Sequence, residues 1–99
     1  MVNKEDILEF LKAQKADFQR ELRITKLGLF GSFARNEQTE NSDIDIIVEF
    51  EPQTSNLYEK KNHLREVIGK AFNKQVDICR EKYMKPYFRN QILQSAIYV

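Results

Sequence analysis

The run DIDIIVEF, residues 43–50, constrains this chain more than any other stretch, because it sets two carboxylates, Asp43 and Asp45, among the apolar, β-branched residues that open it. Such a run reads as a buried strand. Charge inside it costs several kcal/mol unless something compensates. Side chains alternate along a strand, so Asp43 and Asp45 point to one face while Ile44, Ile46 and Val48 point to the other, into the core. Two carboxylates on one face at the start of a strand repel. They call for a positive charge between them or for a proton on one of them. A divalent cation is the economical solution, and Mg²⁺ suits it: it takes hard oxygen ligands, typically one or two carboxylates together with substrate phosphates.

Ahead of Asp43, with ten residues between, stands Gly31-Ser32, at the end of a second apolar run, RITKLGLF (residues 23–30). Glycine lets backbone approach a ligand closely. The serine offers a hydroxyl, and the amides after it open a short helical turn, expected from Phe33 to about Glu37 with Ser32 as its cap. A helix N-terminus accepts phosphate through unpaired N–H groups. A third apolar run, QVDICR (residues 75–80), carries a third acid, Asp77. A phosphate seat beside clustered carboxylates describes phosphoryl or nucleotidyl transfer, in which two metal ions ~3.5–4 Å apart clamp an in-line displacement.

The rest of the chain supplies a scaffold for these elements. Residues ~4–20 read as an amphipathic helix with Ile7, Leu11, Gln14 and Phe18 on one stripe and Asn3 as its cap. Asn56 and Glu59 resemble a capping box ahead of a helix at ~57–72, with Leu57, Leu64, Val67, Ile68, Ala71 and Phe72 on its apolar side. Pro86 suits the first turn of a last helix, with Phe88, Ile92, Leu93, Ala96 and Ile97 docking it on the core. The expected order is α-β-(short α)-β-α-β-α: an α/β (α+β) single domain over residues 1–99, a small mixed three-stranded sheet flanked by helices. A helix of ~15 residues between the second and third strands suits a parallel crossover. The first strand must run antiparallel to the second if Gly31-Ser32 is to reach the acids.

Asp43-Ile44-Asp45, ten residues after Gly31-Ser32 and followed by a lone acid on the next strand, resembles the polymerase-β-type nucleotidyltransferase superfamily. The short chain and GSFAR…SDIDIIVEF are similar to the minimal nucleotidyltransferases, the MNT antitoxins encoded beside HEPN-domain toxins. The resemblance implies a palm-like nucleotidyltransferase fold. It implies that Asp43 and Asp45 bind Mg²⁺, as a pair of ions, and that Asp77 completes the metal set and helps activate an acceptor hydroxyl. Gly31 and Ser32 would hold the triphosphate of ATP, and Arg35 is placed either to contact phosphate or to pair with Glu37 or Glu40. Asn36 stands where many relatives carry glycine, and asparagine tolerates the left-handed backbone a turn there needs. The implied reaction is transfer of AMP from ATP to a hydroxyl, usually a tyrosine, of a cognate HEPN toxin. Two other functions compete: a docking module that neutralises its partner without chemistry, and a nucleotidyltransferase acting on a small molecule.

Composition bounds the setting. The lone cysteine, Cys79, builds no internal disulfide framework, and no apolar run approaches a membrane span. The start of the chain lacks a secretory segment, so a cytoplasmic protein is expected, with no membrane contact and no direct nucleic-acid contact. A homo- or hetero-oligomer is compatible with an open site. Charge is uneven: residues 1–55 hold 7 Lys+Arg and 11 Asp+Glu, whereas residues 56–99 hold 9 and 4. His63 reads as a partly exposed helix residue, Cys79 as a packed thiol, and Tyr83, Tyr87, Phe88 and Tyr98 as core or partner-surface aromatics.

Overall fold

The computed structural model describes residues 2–99. Helix α1 spans Lys4–Leu22 and begins at a reciprocal cap: Asn3 accepts from the Asp6 amide at 2.9 Å, and Asp6 accepts from the Asn3 amide at 3.3 Å. Its buried stripe is Ile7, Leu11, Phe18 and Leu22. Burial of Leu22 carries the helix past residue 20, to a left-handed Arg23 that ends it.

Strand β1 (Ile24–Phe30) leads through the one-turn helix α2 (Gly31–Ala34) to strand β2 (Ile44–Phe50). Helix α3 (Leu57–Phe72) crosses to strand β3 (Val76–Arg80). A 3₁₀ turn (Glu81–Tyr83), helix α4 (Pro86–Ser95) and strand β4 (Ile97–Tyr98) complete the chain. As expected, β2 runs antiparallel to β1 and parallel to β3. Ile44, Ile46 and Val48 of β2 are fully buried on the face that also packs Ile7, Leu11, Leu64 and Ile68. At ~0.8 kcal/mol per buried CH₂, that face is the main source of stability.

The sheet has four strands, in the order β3-β2-β1-β4, where three were expected. The fourth comes from residues assigned to the last helix. That helix stops at Ser95, none of its residues is buried, and Ile97 pairs with Leu29 as Tyr98 pairs with Gly28. Gly28 makes the pairing possible. A Cβ there would meet the Ile97 carbonyl oxygen at 2.9 Å, Ile47 Cγ2 at 3.0 Å and Tyr98 Cδ1 at 3.1 Å. Phe88, expected on the core, is 52% exposed, and Ala71 of α3 also faces outward.

The capping box at Asn56 does not form. Asn56 takes a left-handed backbone (φ 56°) and makes no side-chain cap bond, because that conformation carries its carboxamide away from the first-turn amides. Glu81 is a buried acid that sequence reading missed. It accepts from Lys26 Nζ (3.3 Å), Arg89 Nη2 (3.3 Å) and the Tyr98 hydroxyl (3.1 Å), tying β1, α4 and β4 together. Burial by itself would raise its pKa. The hydrogen bonds from Lys26 and Tyr98, with the charge of Lys26, outweigh burial and hold it below the usual carboxylate value.

Candidate active site

The strand register assembles the acids. Asp45 lies beside Asp77 across the parallel β2–β3 ladder, and Phe30 lies opposite Asp45 on the antiparallel side. The chain therefore turns at Gly31 directly against Asp45. A Cβ on Gly31 would fall 2.1 Å from Asp45 Oδ2, and Gly31 has φ +76°. Only glycine satisfies both conditions at once.

Helix α2 starts at Gly31 rather than Phe33, and Phe30, not Ser32, occupies the position ahead of it. Ser32 sits half-buried within the turn. Phe33 and Ala34 are buried and pull the turn onto the sheet, which shortens it to four residues. The Arg35 amide donates to the Gly31 carbonyl at 3.2 Å, and the Glu37 amide donates to the Ser32 carbonyl at 2.9 Å. Asn36 takes φ +57°, as its residue type allows. Arg35 Nε pairs with Glu37 at 3.1 Å, so the ion-pair alternative is realised. Its charge also reaches Asp45, whose pKa it lowers.

Asp43 lies exposed just ahead of β2, outside the strand in which it was expected. Lys74 fixes the loop before it, donating to the carbonyls of Glu40 (2.9 Å) and Ser42 (3.3 Å). The Ile44 amide donates to the Gln75 carbonyl at 2.9 Å. No spacing in the sequence marked Lys74 for this part, since its partners are backbone atoms more than thirty residues away.

The site is short of positive charge. Burial, then the carboxylates of Asp77 and Asp43, push Asp45 up from 3.8 to about 6, against the pull of Arg35. Among the described residues, no three His, Cys, Asp or Glu side chains form a ready-made metal cage. The aspartates make a shared acidic patch whose hard oxygens fit a divalent cation that brings phosphate oxygens with it. Cys79 follows Asp77 on the same face of β3. Burial, with the charges of Asp77 and Asp45, raises its thiol pKa against the pull of Lys61, which leaves it a packed thiol. His63 is exposed on α3.

A measurable consequence follows for stability. With Asp45 at about 6 in the fold and near 3.8 when unfolded, its protonation favours the folded state. That contribution is complete below the unfolded value and is lost as pH rises through about 6. Asp45→Asn is therefore expected to raise the metal-free Tm at pH 7.5 by several degrees. This corresponds to ~1–2 kcal/mol once solvent screening of a half-exposed group is allowed for. The two proteins should converge near pH 4. Thermal melts in chelator across pH 4–8 check this, and a gap that is constant with pH would refute it.

The nucleotidyltransferase domain family profile matches residues 7–99. The chain belongs to this family. Protein adenylyltransferase MntA of Thermococcus cleftensis is 30% identical over 100% of this chain and 98% of its own length. MJ1379 of Methanocaldococcus jannaschii, whose name assigns it to the protein adenylyltransferases, is 36% identical over 95% of both chains. Among solved structures, one assigned to the minimal nucleotidyltransferases superposes with TM-score 0.79 at 28% identity, covering 97% of this chain and 95% of that one. A toxin–antitoxin structure with AMP-PNP shares the fold, with TM-score 0.66 at 22% identity over 98% of this chain and 72% of that one. This nucleotidyltransferase therefore has the minimal architecture of its family, and the four-stranded sheet is part of it. Among the described residues, no helix is long and apolar enough to cross a membrane.

Proposed function

We propose that this nucleotidyltransferase is an Mg²⁺-dependent protein adenylyltransferase, which moves AMP from ATP to a hydroxyl, a tyrosine by preference, of a cognate HEPN-type toxin and so acts as its antitoxin. The carrying observation is the contact of Gly31 with Asp45 beside Asp77, which puts a backbone approach for phosphate against clustered carboxylates. Two further facts support the reading: the name of the full-length Thermococcus relative, and the AMP-PNP in a toxin–antitoxin structure of the same fold.

Asp43 and Asp45 would hold the Mg²⁺ ions, with Asp77 sharing in the set. When bound, the metal offsets charge developing on the phosphates. Gly31, Ser32 and the amides of α2 seat the triphosphate, and Arg35 faces it at the cost of its pair with Glu37. The acceptor oxygen bonds to the α-phosphorus, its proton passes to the Asp77 carboxylate, and pyrophosphate leaves with the bonding electron pair.

Incubation with labelled ATP, Mg²⁺ and the protein encoded beside this one is expected to label that neighbour on a tyrosine. Absence of label with both proteins folded would count against the proposal. Asp77→Asn separates binding from chemistry. It is expected to keep ATP affinity within a few-fold while transfer falls by roughly 10² or more. Unchanged transfer would remove Asp77 from the mechanism.

A further inference from the structure

The acidic patch occupies one end of β3, and a second feature begins two residues further along it. A cavity of about 370 Å³ opens between β3, the 3₁₀ turn, α3 and α4. Its floor and walls include Cys79, Met84, Phe88 and Ile92, with Lys61 and Lys85 at its margins. That volume suits one or two side chains of a bound segment.

Three independent observations say what enters it. First, β3 is the terminal strand of the sheet, and among the described residues nothing pairs with its outer edge. An open edge accepts an extended polypeptide through main-chain hydrogen bonds. Second, exposed aromatics gather here: Tyr83 at 68%, Tyr87 at 74% and Phe88 at 52%. No residue of α4 is fully buried, so its apolar side is only partly covered by the rest of the chain. Third, Lys61, Lys82 and Lys85 have no carboxylate partner within ion-pair distance among the described residues, whereas Arg80 is already matched by Glu49 at 2.8 Å. The cavity is thus apolar within and cationic outside.

We infer that this groove receives an extended, acidic segment of the acceptor protein carrying an apolar or aromatic anchor, laid along the free edge of β3 so that a hydroxyl on the segment reaches Asp77. The inference rests on the adenylyltransferase reading for its chemistry, but its binding half stands apart from it. Cys79 and Asp77 share one face of β3, so a strand paired to that edge and anchored beside Cys79 also runs beside the acid. The unpaired lysines then select acidic flanks and repel basic ones.

The test uses fluorescein-labelled tyrosine peptides, one flanked by glutamates and one in which lysines replace them, titrated by anisotropy against the full chain. The acidic peptide is expected to bind at least tenfold more tightly than the basic one, with a preference that weakens as salt rises. Lys61→Glu/Lys85→Glu should reverse the preference. Phe88→Ala, an exposed position that leaves the core intact, should weaken the acidic peptide roughly tenfold. ATP affinity should stay within twofold in both variants. Equal binding of the two peptides, or none, would overturn the proposal. So would a loss of ATP affinity as large as the loss of peptide, which would make the groove a nucleotide seat, or displacement of the peptide by a single-stranded RNA oligonucleotide. A peptide that binds as expected yet receives no label from ATP would support the groove while refuting the adenylyltransferase reading.

Discussion

Asp45→Ala is expected to lower AMP transfer by roughly 10³-fold or more, and Asp43→Ala to follow it closely. The Asp45 backbone is paired with Phe30 on one side and Asp77 on the other, and Gly31 lies directly against its carboxylate. Removing it takes away the most buried acid of the patch and leaves phosphate charge unscreened as it develops on the departing pyrophosphate. Protein folding should not suffer, since the acid is destabilising without a cation: its pKa is pushed up to about 6. A variant that is inactive yet melts at or above the wild-type temperature in chelator would carry the signature of a functional residue. Radiolabel transfer and thermal melts on the same preparation check both halves. Residual transfer within tenfold of wild type would rule out the proposed role of Asp45.

Gly31→Ala is expected to be the most damaging of single-methyl additions to this chain. The new Cβ would stand 2.1 Å from Asp45 Oδ2 and 2.9 Å from its Cγ, with φ at +76°. Left-handed backbone costs a non-glycine residue ~1–2 kcal/mol before any clash is counted. The clash displaces either the acid or the turn, and both belong to the site. Transfer should drop by roughly 10² or more, with a Tm lowered by several degrees. Gly28→Ala is the control: its Cβ would meet the Ile97 carbonyl oxygen at 2.9 Å, on the β4 side of β1 and away from the acids, so it should lower Tm while leaving transfer largely intact. Equal kinetics in the two variants would show that the approach of Gly31 to Asp45 has no part in the reaction.

The charges inside apolar strands made the site visible before any coordinates. Asp45 and Asp77 each stand between apolar neighbours in their strands, and period-two alternation puts Asp43 and Asp45 on a common face. The parallel crossover followed from the length of α3, and the antiparallel β1 from the need to bring Gly31-Ser32 to the acids. Local signals failed where tertiary contact decided the outcome. Ile97 continues a helical pattern on paper, but Gly28 offers it and Tyr98 a sheet edge close enough to pair with. Asn56 has the residue types of a cap and the wrong backbone for one. Glu81 and Lys74 had no marked spacing, because their partners come from elements distant in the chain.

The sequence by itself determined which residues are charged where charge is costly, and this is the reason for proposing a cation and a phosphate beside them. Only the tertiary structure decided the register that sets Asp45 beside Asp77, the methyl-sized gap at Gly31, and the open edge and groove along β3. Periodicity and residue type act within a few residues of chain. Register, close approach and an unpaired edge exist only when separate strands meet.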